Sequence, residues 1–237
     1  MTRVVEVSAG GSLPRDSAIA VPGLSRRLRL VAEMAIIFIG APIAVTYALY
    51  EFRLPLFFVL PPLMLCLIAY LLWDRTFHLI KELARGFSLG ALAGMIITFA
   101  VLGPAIVYAA MTLNPSGFLR FPRYAPQLWM TIMVLYPLMS VMAQELVYRT
   151  FFFHRYGPLF GDWRWLAIIV NAALFGFGHI LFANWIAVGG TFLIGLLFAY
   201  RYDATRSFWA VWLEHSLYGC LVFTVGLGRY FYTGISM

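Results

Sequence analysis

Charge is scarce in this sequence. Of its 237 residues, 11% are Asp, Glu, Lys or Arg, against about 25% in a typical water-soluble domain. So few charges cannot cover a chain that is 62% hydrophobic with a mean hydropathy of +0.86. An ordinary soluble domain is excluded, and lipid must be the main solvent. Lysine is nearly missing, since Lys81 stands alone. The 17 basic residues outnumber the 10 acidic ones, but all except Lys81 are arginines, scattered between apolar runs. They form no tract or stripe, which excludes a nucleic-acid partner. Cysteine is limited to Cys66 and Cys220, both inside apolar runs. No disulfide framework or zinc spacing follows from such a pair, and each reads as a small buried hydrophobe. No signal peptide opens the sequence, and there is no internal repeat, low-complexity tract or His-Glu-x-x-His motif.

Long apolar runs are abundant. A spanning helix needs about 20 mainly apolar residues, and seven segments pass or nearly pass, at roughly 30–50, 54–73, 87–112, 127–147, 165–183, 185–200 and 207–227. The fold expected is all-α, a polytopic bundle of seven spans, or eight if a segment such as those interrupted by Pro61, Pro62, Pro104 or Pro137 is broken or re-entrant. Residues 1–29, polar and ending in Arg26, Arg27 and Arg29, read as a flexible cytoplasmic tail, and residues 30–237 as one membrane domain. With the N-terminus inside, the inner segments hold thirteen basic residues and the outer ones four. That bias predicts a multi-pass protein of the cell membrane with a cytoplasmic N-terminus and an outer C-terminus.

A few polar residues sit where lipid should exclude them. Glu145 and Arg149 end the fourth segment, His179 lies late in the fifth, and Glu214 and His215 lie inside the seventh. An acidic residue at mid-bilayer costs about 2.5–3.5 kcal/mol on insertion scales, so such residues persist where they meet a partner or a water-filled cavity. Glu145 and Arg149 are four apart, which puts them on one helix face in the favourable order for pairing. Gly176 and Gly178 remove bulk beside His179 and permit close helix approach or room for a substrate backbone. All these residues are expected at similar depth in the cytoplasmic half. Blander readings stand beside this: Arg149 snorkelling to the interface with Glu145 as counter-ion, and either histidine bonded to a neighbouring carbonyl. His78 and His154 read as interfacial, Trp73, Trp163 and Trp165 as belt anchors, and Phe151–Phe153 as packing or interfacial anchoring.

Gln144-Glu145-x-x-x-Arg149, Phe175-x-x-x-His179 and His215-x-x-x-Gly219 follow one another on successive apolar segments. In order and spacing they resemble the motifs of the CPBP intramembrane endopeptidases, a family that includes the CAAX endopeptidases and bacterial Abi-type proteins. The resemblance covers roughly 125–227. It implies peptide-bond hydrolysis inside the membrane, with membrane lipid as surroundings and a membrane-associated or prenylated protein or peptide as substrate. The carry-over is direct for Glu145, Arg149, His179 and His215. Two positions depart from the family pattern: Gln144 stands where the first Glu would be, and Gly219 where the last Asn would be. A Gln is not a carboxylate base, and a Gly side chain donates no hydrogen bond.

The resemblance implies a water activated by Glu145 and His179, an oxyanion supported by His215, and Arg149 as the partner of Glu145. Glu214 is expected to point toward Gln144 or His179 and to restore the second acid; otherwise it pairs with Arg149 or a donor on another helix and holds the bundle together. Glu145, His179 and His215 are expected to line one water-accessible cavity. No cofactor is required, although those three residues would suffice for zinc. A catalytically inactive member that binds a membrane partner, a small proton-coupled transporter and a bis-histidine haem site through His179 and His215 remain as alternatives.

Overall fold

The computed structural model describes residues 23–54, 56–86 and 88–231. Among them there is no strand, and seven long helices account for the seven apolar segments. We label them α1 (Leu24–Glu51), α2 (Leu56–Trp73), α3 (Leu89–Leu113), α4 (Pro126–Arg155), α5 (Arg164–Phe177), α6 (Trp185–Thr205) and α7 (Phe208–Thr224). Polar caps start three of them where the sequence turns apolar. Ser88, Asn184 and Ser207 each accept a hydrogen bond from the backbone N–H three residues on, which satisfies an otherwise orphaned donor.

Five helices (α1, α3, α4, α6, and α5 extended through Phe182) are long and apolar enough to cross a membrane. The chain is an integral membrane protein of at least that many such helices. The other two apolar segments fall short of the same measure: α7 has 17 residues, and α2 qualifies only as a shorter apolar helix from Pro61 to Trp73. Large apolar side chains such as Ile96, Ile97, Val101 and Leu193 face outward, a pattern suited to lipid and costly in water.

The expected tail boundary shifts. Most of residues 1–29 and the C-terminal Met237 lie outside the described residues, but Leu24–Arg29 already form the first turns of α1. The three arginines there leave their charges exposed at the helix end while the helix continues inward from Leu30.

The core is aromatic. Phe38 of α1, Phe151 and Phe152 of α4, Tyr156 just after it, Phe175 of α5, Phe198 of α6 and Tyr218 of α7 belong to one buried cluster. Phe38 meets Phe152 and Tyr156 edge-on, with ring centres 5.8 and 6.0 Å apart. The Phe151–Phe153 run is therefore packing, whereas Trp73, Trp163 and Trp165 are exposed, as belt residues would be. Small residues set the spacing of α5 and α6. A Cβ on Gly176 would sit 2.9 Å from Phe192 and 3.0 Å from the Val188 carbonyl, and one on Gly195 3.0 Å from Phe175. Gly178 makes room for the Tyr148 hydroxyl of α4. These glycines serve close packing, with no room left for a substrate backbone.

One end of the bundle is tied by charge. Arg155 at the end of α4 makes two 2.9 Å bonds to Glu33 of α1 and one of 3.2 Å to Asp74 after α2. Asp74 also accepts from the Thr76 hydroxyl and backbone and lies 3.6 Å from His154. Burial alone would raise the Asp74 carboxyl, but the Thr76 bonds and the His154 and Arg155 charges outweigh it and hold it below its ordinary value. A depressed carboxylate contributes stability above its unfolded value and loses it as the pH falls through the folded one. In detergent, wild type should melt above Asp74→Asn at neutral pH, and the gap should narrow as the pH falls below the ordinary carboxylate range. A gap that ignores pH would remove Asp74 from the tie.

Candidate active site

The segment that carries the first motif departs from regular α-helix. In α4, Tyr136–Val141 and Leu146–Phe151 are π-helical and flank Met142–Glu145. Pro137 lacks an N–H and so cannot close the regular bond to the Met133 carbonyl, toward which Cys220 of α7 directs its thiol at 3.9 Å. The Pro137 carbonyl instead accepts 2.8 Å from the Trp212 indole of α7. These bonds clamp α4 against α7 and bring their polar residues face to face.

Glu145 has no exposed surface. One carboxylate oxygen lies 2.7 Å from Nδ1 of His215, and the other 3.6 Å from Nε of Arg149. Because a carboxylate only accepts, the proton between Glu145 and His215 belongs to Nδ1. His215 Nε2 then faces the Tyr136 hydroxyl at 3.1 Å. The imidazole is stacked on Phe198, with ring centres 4.7 Å apart, and meets Phe175 edge-on at 5.7 Å. Arg149, equally buried, holds its guanidinium 4.5 Å over the Phe175 ring and 5.8 Å from Phe198, so cation–π contact supplements its single ion pair. The result is one buried line, Arg149–Glu145–His215–Tyr136, running between α4 and α7.

His179 is brought near this line but not into it. It follows the end of α5, half-buried, and its Nδ1 lies 2.7 Å from the Phe175 carbonyl, which fixes the proton on that nitrogen. Nε2 has no protein partner among the described residues. Phe175 is the shared wall: its ring is 4.8 Å from His179 and 5.7 Å from His215. The expectation of a common cytoplasmic depth is corrected here. α4 ends and α5 begins at the charged end of the bundle, where Arg164 of α5 pairs with Asp203 and Arg206 lies over Phe153. α5 runs away from that end, so His179, 15 positions on, packs against Phe182 and Phe231 near the opposite one.

Glu214 is corrected too. Its carboxylate does not approach Gln144 or His179. Arg201 of α6 engages it twice, at 2.9 and 3.0 Å, and Thr98 of α3 donates to it at 2.8 Å. Neighbours on a helix point about 100° apart, so His215 faces α4 while Glu214 faces α3 and α6. Arg201, read from sequence only as a topology marker, is the partner. Its place in Tyr200-Arg201-Tyr202-Asp203 at the end of an apolar run gave no sign of burial.

The departures from the motifs also have definite places. Gln144 donates 2.8 Å to Ser140 within α4, and its carbonyl oxygen is buried without a partner. Gly219 lies against Tyr136, whose ring and hydroxyl occupy the space that a side chain at 219 would need. Zinc does not fit Glu145, His179 and His215: Glu145 and Tyr136 occupy both nitrogens of His215, and among the described residues no three His, Cys, Asp or Glu side chains converge to hold a metal.

Residues 125–221, under half of the chain, match the family model described as Type II CAAX prenyl endopeptidase Rce1-like. The match contains all three motifs, and the resemblance to the CAAX protease family is borne out over that region. No curated protein and no solved structure matches the chain.

The Arg201–Glu214 pair is a buried, doubly hydrogen-bonded ion pair. Glu214→Leu strands the Arg201 charge and should destabilise the protein by about 3–5 kcal/mol, whereas adding Arg201→Leu should recover most of the loss. Unfolding in mixed micelles measures both. Additive losses in the double variant would show that the two charges are not coupled.

Proposed function

We propose that the chain is an intramembrane endopeptidase that hydrolyses peptide bonds of membrane-associated substrates, prenylated CAAX-type proteins among them. The observation that supports this most is the buried carboxylate–imidazole–hydroxyl line of Glu145, His215 and Tyr136, inside the region matched by a protease family. Hydrolysis needs a base for water and a donor for the oxyanion. We assign the base to His179, whose Nε2 carries the lone pair because Nδ1–H is committed to Phe175. Water attacks the scissile carbonyl carbon, its proton passes to His179 Nε2, and the same proton goes on to the leaving nitrogen. Glu145, enclosed between Arg149 and His215, orients the His215 imidazole, while the Phe175 carbonyl orients that of His179. Orienting replaces the base role first expected of Glu145. Arg149 balances its charge, Glu214 stays with the scaffold, and no step uses a metal.

A second reading, a family member that holds a membrane partner without cutting it, is favoured by Gln144, whose neutral amide is spent on Ser140. The two are separated by comparing cleaved termini in the membrane proteome of cells carrying wild type, Glu145→Ala or His179→Ala. The endopeptidase reading expects a set of termini present with wild type and lost in both variants, with turnover falling at least about 10²-fold in His179→Ala. Three indistinguishable proteomes would leave only the non-cutting member.

The thirteen-to-four distribution of basic residues further supports seven spans in the cell membrane with the N-terminus in the cytoplasm. In that frame the charged end of the bundle around Arg155 is cytoplasmic. Reporters fused to the two ends should report opposite sides. Reporters on one side would refute seven crossings.

A further inference from the structure

The line that starts at Arg149 becomes more accessible along its length. Arg149 and Glu145 are 0% exposed, His215 is 6% exposed, and Tyr136 is only half-buried. The phenol hydroxyl ends the line, with His215 as its one hydrogen-bond partner among the described residues. The chain has also kept space for it. A Cβ at position 219 would run into the Tyr136 ring and hydroxyl, so any residue but glycine there would push the phenol off His215. Phe223 meets the ring edge-on with centres 5.1 Å apart, and Trp212 holds the next residue, Pro137, through its carbonyl. The ring is thus held by packing and the backbone beside it by a hydrogen bond.

Resting on the endopeptidase reading, we infer that Tyr136 is a catalytic residue, whose hydroxyl donates a hydrogen bond to the scissile carbonyl oxygen, and that Gly219 is the vacancy which lets it do so. The donor inventory makes this consistent. A neutral imidazole has one donor and one acceptor nitrogen, and a phenol has one donor and acceptor capacity. With Nδ1–H given to Glu145, Nε2 carries the lone pair that holds the phenol hydrogen at rest, and the phenol turns that hydrogen to the substrate's carbonyl oxygen as charge develops there. As the water oxygen bonds to the carbonyl carbon, the π pair moves onto the carbonyl oxygen and the water proton goes to His179. Tyr136 stabilises the new negative charge without giving up its proton. Glu145 and Arg149, which never touch the substrate, fix the direction of the chain of donors.

The test uses the full-length protein in proteoliposomes with an internally quenched farnesylated peptide. Tyr136→Phe keeps the ring and loses only the hydroxyl. It should lower kcat about 10²–10³-fold, the size of losing one oxyanion donor, with KM within about twofold. Gly219→Ala, which displaces the phenol, should lower kcat in the same direction. Fluorotyrosine at 136 changes the acidity of the hydroxyl and hardly its shape, so it should move kcat where a packing role would not. Melting temperature is followed for each variant. An active wild type with Tyr136→Phe within threefold of it, or with kcat indifferent to fluorination, overturns the role of Tyr136 and leaves the endopeptidase reading standing. A loss of kcat matched by a loss of folding in Tyr136→Phe also overturns it. A wild type that does not cut the peptide overturns both.

Discussion

A carboxylate that has no exposed surface must be neutralised from within, and the neutralisation of Glu145 determines how the rest of the bundle is arranged. Its two oxygens face in two directions, toward Arg149 on its own helix and toward His215 on α7. Neither partner alone suffices. Arg149 stops at 3.6 Å, beyond a good hydrogen bond, and relies on the faces of Phe175 and Phe198 for the remainder of its stabilisation. His215 supplies the short bond, and it can do so only where α4 and α7 lie together. In lipid no water competes for these groups, so the contact fixes the register of the two helices.

The register is reached by departing from regular helix on one side and by subtracting side chains on the other. Two π-helical stretches in α4 bracket Glu145, and each turn of that kind rotates the following side chains relative to a plain α-helix. α5 and α6 approach through Gly176 and Gly195, which carries Phe175 inward until its ring touches both histidines. α7 uses adjacent residues for separate ends. Glu214 locks to Arg201 and Thr98 on the side of α6 and α3, while His215 turns to α4. The ion pair holds the helix still, and the neighbouring imidazole links Glu145 to Tyr136.

The apolar runs made the helices legible, because a 20-residue hydrophobic stretch has few alternatives in lipid. The motif residues were legible as well: Glu145, Arg149 and His215 are three polar groups at unfavourable positions, and two contacts join them. What the sequence withheld was direction. The spacing of a motif places a residue on a face but says nothing of which neighbouring helix stands opposite, so Glu214 was sent toward Gln144 when its donor was an arginine that looked interfacial. Depth was misjudged for His179 because the run of α5 away from its charged end was not followed through. Tyr136 was invisible for a different reason. A tyrosine in an apolar run is ordinary, and only the space left by Gly219 on another helix makes its hydroxyl significant.

The two departures from the family motifs are therefore unlike each other. The loss at position 219 is filled: a phenol from α4 occupies the place that a side chain there would take, and it brings a hydroxyl to within 3.1 Å of His215. The loss at position 144 is not filled. Gln144 turns to Ser140 in its own helix, its carbonyl oxygen has no partner among the described residues, and the acid that might have replaced it is bound to Arg201. A site rebuilt at one end and neutral at the other has Glu145 as its one carboxylate, already committed to His215. On the endopeptidase reading proposed above, proton transfer then falls to the group whose lone pair is unspent, Nε2 of His179. The proposed chemistry moves from a glutamate toward a histidine because Glu145 and Glu214 are already held.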